Sequence, residues 1–168
     1  MEPGSLLHVG CGSDPLPEWL GKYKEVRLDI DQSCNPDIVA DMLNLGEIGK
    51  FDVVFSQHNL EHIHQHEVQT ALKEFHRVLN DNGALIVFVP DCENVKPTEE
   101  ILFDSPAGGI SGLDLLYGYR KVLKEKPYMA HKNAFTKDSL HAALSEAGFN
   151  NIKIQQLHPY NMMGVGTK

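Results

Sequence analysis

The sequence is poor in the features that mark secreted and membrane proteins. It has three cysteines, Cys11, Cys34 and Cys92, and no Cys-x-x-Cys pair. An odd number of widely spaced cysteines favours free thiols in a reducing compartment over a disulfide framework. No window approaches the run of about eighteen apolar residues that a membrane helix needs. We therefore expect a cytoplasmic protein that does not bind a membrane.

Positive charge is also scarce. The chain has 15 basic and 23 acidic residues, and its formal net charge is -8. Such a chain lacks the positive field that attracts a phosphate backbone. We predict that it does not bind nucleic acid, while the sequence leaves the oligomeric state open.

Two long apolar runs, at 51–56 and 84–89, dominate what the sequence does contain. Continuous apolar runs are typical of parallel strands that are covered on both faces. Between them an apolar residue recurs with helical spacing, at Val68, Leu72, Phe75 and Leu79. This strand, helix and strand form a right-handed crossover unit, and the length of 168 residues predicts one α/β domain over 1–168.

The other predicted elements are shorter. They are strands at 6–9, 26–30, 37–40, 151–157 and 162–167, and helices at 15–24, 112–126 and 137–147. The first of these helices has room for only two or three turns, and Leu113, Leu116 and Leu123 are expected to face inward from the second. Thr136 is expected to cap the third helix and Gly148 to end it. Residues 92–135, which contain several prolines and glycines, are predicted to form a lid after the fifth strand.

A glycine turn follows the first strand, in the sequence Leu6-Leu-His-Val-Gly-Cys-Gly-Ser-Asp14. Gly10 and Gly12 can adopt left-handed backbone angles and allow a ligand to lie against the main chain. Asp29, at the end of the second strand, is placed to accept hydrogen bonds from a ribose diol. Pro15 stands where the dinucleotide fingerprint needs a third glycine, so NAD and FAD are disfavoured. The sequence therefore predicts a nucleoside pocket.

Five short motifs follow one another along the chain. They are His8-Val-Gly-Cys-Gly12, Leu28-Asp-Ile-Asp31, Val39-Ala-Asp-Met42, Phe51-Asp-Val-Val-Phe-Ser-Gln-His-Asn-Leu-Glu-His62 and Arg77-Val-Leu-Asn-Asp-Asn-Gly83. In this order they resemble the class I S-adenosylmethionine-dependent methyltransferases, in the small branch near the methyltransferase type 11 group. The chain departs from that pattern at Asp81-Asn82, where Pro-Gly is common. The resemblance implies a Rossmann-like three-layer sandwich, a mostly parallel sheet, and S-adenosylmethionine as the cofactor, with S-adenosylhomocysteine as its product.

The resemblance also implies which residues hold the cofactor. The main chain of Val9, Gly10, Cys11 and Gly12 would face the methionyl part. Asp29 would hold the ribose, Ile30 would pack on the adenine, Asp41 and Met42 would border the adenine edge, and Ser56 and Gln57 would approach the amino acid end. For Asp41 the alternative is a turn residue that caps a neighbouring amide. We predict no metal ligand.

The segment His58-Asn-Leu-Glu-His62 permits a second interpretation, because it also matches the inverted zinc-peptidase signature His-x-x-Glu-His. A zinc hydrolase that uses His58, Glu61 and His62 needs this motif inside a long helix, with a further ligand downstream. It would also leave the glycine turn and Asp29 without a role. We therefore favour methyl transfer and keep the zinc hydrolase as the alternative.

Three histidines are candidate general bases, since an unperturbed imidazole pKa of about 6.5 suits proton abstraction from an acceptor. They are His58, His62 and His131. His62 could instead be a helix-start residue bonded to the main chain, and His131 an exposed loop residue. The overall prediction is methyl transfer to a small or medium polar acceptor. Resemblance to short methyltransferases of cell-surface carbohydrate pathways makes a sugar hydroxyl the leading acceptor, and a non-catalytic S-adenosylmethionine-binding module is the other alternative.

Overall fold

Residues 3–168 are described by a computed structural model in which seven strands form one mixed sheet. The strands of the chain are β1 (Ser5–Val9), β2 (Lys24–Asp29), β3 (Ile38–Val39), β4 (Phe51–Gln57), β5 (Leu79–Pro90), β6 (Ile101–Ser105), β7 (Gly108–Ser111), β8 (Asn150–Leu157) and β9 (Asn161–Thr167). The large sheet has the order β3-β2-β1-β4-β5-β9-β8, and β6 pairs with β7 in a separate hairpin. The first five strands are parallel, and β9 is antiparallel to both of its neighbours. The predicted α/β fold with a mostly parallel sheet is confirmed.

Parallel pairing brings the carboxyl ends of β1, β2, β3 and β4 to one edge of the sheet. The glycine turn after β1, Asp29 at the end of β2 and Gln57 at the end of β4 therefore lie along the same edge. Ligands of open α/β sheets bind outside this edge. The fold thus assembles one candidate site from segments that are far apart in the sequence.

Two helices of ten or more residues occur in the described part of the chain, α1 (Val68–Val78) and α3 (Lys137–Glu146), together with the short α2 (Gly112–Tyr117). The predicted apolar stripe of α1 is buried at Val68, Leu72 and Phe75. Leu79 is also buried, but it opens β5 instead of continuing the helix. The side chains of α1 and α3 join one large core cluster beneath one face of the sheet.

The ends of α3 agree with the sequence. The Thr136 side chain accepts a hydrogen bond from the Ser139 backbone N–H at 3.2 Å, which caps the first turn. Gly148, after the helix, has a φ of +98°. This left-handed conformation favours glycine and ends the helix before Phe149 leads into β8.

The predicted first helix at 15–24 is wrong in its extent. The structure has a single 3-10 turn there, Glu18–Leu20, between Pro17 and Gly21. Proline fixes φ and lacks an N–H, so Pro15 and Pro17 allow little helix in so short a connection. The opposite face of the sheet is therefore covered by a small cluster in which Leu20 is buried and Leu16 and Tyr23 are partly buried.

The predicted helix at 112–126 is also wrong in length. α2 ends at Tyr117 because Gly118, at φ +90°, turns the chain, and a Cβ there would lie 2.5 Å from the Met129 carbonyl oxygen. Two 3-10 turns follow, Arg120–Val122 and Pro127–Met129. Leu115 is the buried apolar side chain of α2, whereas Leu113 and Leu116, which were expected to face inward, are only partly buried. The hairpin of β6 and β7 was not predicted.

Strand limits differ from the expected ones by small amounts. β2 begins two residues earlier than predicted, and β3 is only two residues long. Between these strands, a 3-10 turn at Gln32–Cys34 replaces the usual crossover helix. β5 begins at Leu79 with an irregular stretch in which Asn82 has a φ of +65°. Within residues 3–168, no helix has the length and apolar character to cross a bilayer.

Candidate nucleoside site and histidine cluster

The glycine turn after β1 has the backbone conformation that the sequence predicts. Gly10 and Gly12 have φ values of +66° and +49°. A Cβ at position 10 would lie 2.2 Å from the amide oxygen of Asn59, so only glycine fits there. At Gly12 an added Cβ would meet nothing within 4 Å. The turn therefore packs against the Asn59 side chain, just after β4, at Gly10 and faces open space at Gly12.

Two charged side chains of β2 fix this turn. The Gly12 N–H donates to Asp29 Oδ2 at 2.7 Å, and the Asp31 N–H donates to Asp29 Oδ1 at 2.9 Å. The guanidinium of Arg27 donates to the carbonyl oxygens of Gly12 and Asp14, at 2.8 and 2.9 Å. Each carboxylate oxygen has further lone pairs, so Asp29 can still accept hydrogen bonds from a ligand. Arg27 was not among the predicted site residues.

Ile30 directly follows Asp29, and 68% of its surface is exposed. An exposed aliphatic side chain at this edge is available to pack on a flat ring. Asp41 lies further along the edge, after β3, where its side chain accepts from the Leu43 N–H at 2.9 Å. Asp41 is thus a turn-capping residue in this structure, and Met42 is partly buried against the large core. Their placement beside the adenine stays a prediction.

Val9 and Cys11 are buried, with 0% and 2% exposure. Their side chains belong to the protein interior, so only their main chain can contact a ligand. Burial raises the pKa of the Cys11 thiol, although the nearby Arg27 charge acts in the opposite direction. Cys11 therefore remains a neutral thiol at physiological pH and has no nucleophilic character.

At the end of β4, Ser56 is buried and Gln57 is exposed. The amide of Asn59 lies behind the glycine turn, where its nitrogen is 3.1 Å from the Val9 carbonyl oxygen and 3.1 Å from Ser56 Oγ. Asn59 thus links the first and fourth motifs. Asn59 was not among the predicted site residues, because an asparagine inside a histidine motif gives no sign of a packing partner far along the chain.

The three candidate bases lie close to this corner of the sheet. His58 has a φ of +54°, and its Nδ1 is 3.2 Å from Glu61 Oε1. Glu61 and His62 belong to a 3-10 turn, Leu60–His62, that follows β4 almost directly. The long helix that the zinc-peptidase signature requires is therefore not formed. The residues of the His-x-x-Glu-His motif therefore lie in a tight turn and not on one face of a helix, which contradicts the zinc-peptidase interpretation of the motif.

His131 comes from residues 92–135 and packs against His62, with ring centroids 5.1 Å apart. The alternative interpretation of His131 as an exposed loop residue is wrong, because it is only partly exposed and its Nδ1 is 2.9 Å from the Leu115 carbonyl oxygen. Similarly, Nδ1 of His62 is 3.2 Å from the Ala130 carbonyl oxygen. Glu61, His62 and His131 each offer one possible metal-ligand atom, a carboxylate oxygen or a ring nitrogen, and these three atoms lie within 4.8 Å of one another. We call these three residues the EHH cluster.

Burial and neighbouring groups act against each other on the ionisation of Glu61 and His131 in the EHH cluster. Glu61 is 1% exposed, and this burial by itself opposes ionisation, but the hydrogen bond with His58 and the electrostatic influence of the neighbouring His58 and His62 rings outweigh burial and lower the pKa of Glu61. Burial lowers the pKa of His131, and the nearby Glu61 charge offsets this only in part. Glu61 is therefore an ionised carboxylate and His131 a neutral imidazole at neutral pH.

Comparison with known proteins supports the family that the motifs resemble. A family model described as a methyltransferase domain matches residues 1–154. A search of curated proteins finds no match to this chain.

Solved structures share the fold at low sequence identity. An S-adenosylmethionine-dependent methyltransferase from Mesorhizobium loti is 15% identical, with a TM-score of 0.70 over 100% of this chain and 93% of that one. Human N-acetylserotonin methyltransferase in complex with SAM is 13% identical, with a TM-score of 0.65 over 99% of this chain and 48% of that one. A possible exported protein from Bordetella parapertussis is 16% identical, with a TM-score of 0.65 over 100% and 63%. This chain thus spans about half of the length of the human protein and somewhat less than two thirds of the length of the Bordetella protein.

Proposed function

Because this chain belongs to the methyltransferase domain family, whose model matches residues 1–154, we propose that it transfers a methyl group from S-adenosylmethionine to a small or medium polar acceptor. The observation that carries the proposal is the open space in front of Gly12, beside the carboxylate of Asp29. The human N-acetylserotonin methyltransferase of the same fold binds SAM. This fold similarity supports the same cofactor here.

The residues at the carboxyl edge of the sheet fit the parts of this cofactor. The main chain of the glycine turn would face the methionyl part, with Ser56 and Gln57 at its amino acid end. Asp29 retains lone pairs for the two ribose hydroxyls, and the exposed side chain of Ile30 would cover the adenine. When bound, S-adenosylmethionine supplies a methyl group that its sulfonium has already activated. The protein then has to align the acceptor and exclude water.

Residues 92–135 are proposed to form the acceptor side of the site. Their last part is fixed to the turn after β4, because the Lys132 N–H donates to the Glu61 carbonyl oxygen at 2.7 Å and the Asn133 side chain donates to the Leu60 carbonyl oxygen at 2.8 Å. His58, His62 and His131 are the groups near this wall that can accept a proton. We propose a sugar hydroxyl as the acceptor, which the resemblance to carbohydrate-pathway methyltransferases supports.

The three cysteines are free thiols in the structure. We propose on this ground that the protein works in a reducing compartment, the cytoplasm. Its net charge of -8 supports a small-molecule acceptor over nucleic acid.

The test is calorimetric titration of the purified chain with S-adenosylhomocysteine. Asp29→Ala removes the charged acceptor for the ribose, and we expect it to weaken binding by about 1 to 3 kcal/mol. Asp29→Asn keeps an oxygen that can accept from the Gly12 N–H and should weaken binding less. Asp31→Ala is the matched control, since Asp31 is exposed and caps its own turn at Ser33.

An unchanged affinity in a folded Asp29→Ala protein would contradict the assignment of Asp29. Failure of the wild-type chain to bind S-adenosylhomocysteine would contradict the proposed function as a whole. Incorporation of methyl from labelled cofactor, screened over sugars and small metabolites, separates an enzyme from a non-catalytic binding module.

A further inference from the structure

We propose that the EHH cluster, Glu61, His62 and His131, is a binding site for a divalent metal ion with the ligand preferences of Zn²⁺. One ligand atom from each residue lies within 4.8 Å of the other two. Around a tetrahedral zinc ion with bonds of about 2.1 Å, ligand atoms are roughly 3.4 Å apart. The ligand atoms of the cluster therefore have to approach one another by about 1.4 Å or less to surround an ion.

A backbone carbonyl oxygen faces Nδ1 of each imidazole and leaves Nε2 as the ring nitrogen that can bind a metal. Nδ1 of His62 faces the Ala130 carbonyl oxygen and Nδ1 of His131 faces the Leu115 carbonyl oxygen, at 3.2 and 2.9 Å. A carbonyl oxygen can only accept, so Nδ1 carries the proton in each ring. The lone pair is then on Nε2. A backbone carbonyl that fixes the other ring nitrogen in this way is the usual partner of a metal-binding histidine.

Glu61 gives an independent indication of a cation. Its residue is 1% exposed, and Oε2 has no hydrogen-bond partner among the described residues. The other carboxylate oxygen, Oε1, is held by His58 Nδ1 at 3.2 Å. A buried carboxylate oxygen without a partner is costly and therefore rare in folded proteins. A metal ion between Glu61 and the two histidines would satisfy it.

The cluster is also held rigidly, although its members are far apart in sequence. The chain around His131 is fixed to the Leu60–His62 turn by the hydrogen bond from the Lys132 N–H to the Glu61 carbonyl oxygen. The Asn133 side chain donates to the carbonyl oxygens of Leu60 and Ile63, at 2.8 and 2.7 Å. Ligands that are positioned before the metal arrives lose less conformational entropy on binding.

The donor set indicates both the metal and its use. Two imidazoles and one carboxylate suit Zn²⁺, Co²⁺ or Fe²⁺ better than Mg²⁺, which prefers oxygen ligands. Three protein ligands leave one position of a four-coordinate ion open, as in catalytic zinc sites. This step rests on the proposed function: the open position would hold the hydroxyl oxygen of the methyl acceptor and lower the pKa of that hydroxyl.

The test uses the full chain without an affinity tag, treated with a chelator and then titrated with ZnCl₂ and, separately, with CoCl₂. We expect one Zn²⁺ per chain at micromolar affinity or tighter, and the visible absorption of tetrahedral Co²⁺. Acetohydroxamate, which binds through oxygen atoms, should change the Co²⁺ spectrum if the open position exists. An unchanged spectrum would overturn the acceptor role.

His62→Ala and His131→Ala each remove one ligand and should weaken Zn²⁺ binding by at least about 100-fold. Glu61→Gln keeps the shape of the side chain and should weaken it as well. His141→Ala is the control, since His141 is exposed on α3, and it should bind Zn²⁺ like the wild type. If Glu61→Gln does not fold, the histidine variants and the wild-type spectrum still decide the question.

Titration with S-adenosylhomocysteine on the same samples separates this proposal from the previous one. Zn²⁺ affinity that is absent, or unchanged in His62→Ala and His131→Ala, overturns the metal site, even if the nucleoside binds. Zn²⁺ binding that the histidine variants abolish supports the metal site, even if the nucleoside does not bind. Failure of the wild type to bind S-adenosylhomocysteine, together with Zn²⁺ binding that depends on His62 and His131, would overturn the proposed methyl transfer while the metal site stands.

Discussion

The two faces of the central sheet are stabilised in different ways. On one face, side chains such as Leu7, Val54 and Leu85 pack against α1 and α3 in a continuous core cluster. Phe75 of α1 belongs to this cluster and is fully buried. Apolar burial of this kind is the dominant source of folding free energy.

The opposite face has much less cover. Its buried apolar cluster consists of Leu6, Leu20, Val53 and Phe55, with partly buried neighbours. Trp19, whose ring meets Phe55 edge to face at 6.3 Å between centroids, is itself 55% exposed. A single 3-10 turn thus provides the cover that two helices provide on the other side.

Beside this small cluster, three polar side chains of the less covered face contact one another in a row. Nδ1 of His8 is 2.8 Å from Glu25 Oε1, which is 3.3 Å from the Arg27 guanidinium. Arg27 in turn holds the carbonyl oxygens of Gly12 and Asp14. The comparison indicates a division of roles: the helix-covered face supplies stability, and the other face positions the glycine turn.

The largest effect is expected on the helix-covered face. Phe75→Ala leaves a cavity between α1 and the sheet, and we expect it to lower the free energy of unfolding by about 3 to 5 kcal/mol. Denaturant titration followed by circular dichroism measures this loss. Lys73→Ala, on the exposed side of α1, is the control and should change stability by about 0.5 kcal/mol or less. If Phe75→Ala and Lys73→Ala lowered the free energy of unfolding equally, the conclusion that the helix-covered face supplies the stability would be wrong.

A smaller effect of a different kind is expected for Arg27→Met. Methionine keeps much of the apolar stem but cannot donate to the Gly12 and Asp14 carbonyl oxygens. We expect the affinity for S-adenosylhomocysteine to fall about tenfold, or roughly 1.4 kcal/mol. The loss of stability should be smaller than in Phe75→Ala. Calorimetry and denaturant titration on the same protein measure the two quantities.

Lys24→Met is the matched control for this variant, because Lys24 is exposed at the start of the same strand. It should leave both quantities almost unchanged. If Arg27→Met lost several kcal/mol of stability and no affinity for the nucleoside, Arg27 would be a packing residue, and the proposed division between the faces would be incorrect.

The same division explains how far the sequence could be interpreted. Elements that depend on apolar periodicity were predictable, since α1, α3 and the strands β4 and β5 show it directly. The glycine turn and Asp29 were predictable because special backbone angles and a carboxylate at a fixed distance leave a local pattern. The family followed from several such patterns in one order.

Features that depend on contacts between distant segments were not predictable. The interaction of Asn59 with the glycine turn joins residues about fifty positions apart. The EHH cluster needs His131 to be brought beside His62, which no spacing rule expresses. The helix predicted at 112–126 failed because Gly118 turns the chain against the Met129 carbonyl oxygen, which is likewise a tertiary contact.

The smallest effect concerns acid sensitivity on the less covered face. His8 is 3% exposed, and its burial lowers its pKa more than the hydrogen bond to Glu25 raises it. In the unfolded chain the imidazole titrates near its ordinary value of about 6.5. As the pH falls below that value, the unfolded state takes up the proton first, so the folded state loses stability. We therefore expect the free energy of unfolding to fall between pH 7.5 and pH 5.

His8→Gln removes the titrating group and keeps an N–H that can donate to Glu25, so it should reduce this dependence on pH. Burial lowers the pKa of His131 as well, so His131 also contributes to the slope of the wild type. His76 on α1 has a pKa lowered by burial too, but it is only partly buried. Its substitution, His76→Gln, should therefore reduce the pH dependence less than His8→Gln does. Chemical denaturation at each pH measures the slope for the wild type and both variants. If only His76→Gln reduced the slope, the acid sensitivity would lie on the helix-covered face. That outcome would show that His8 takes up a proton in the folded protein in spite of its burial and its contact with Glu25.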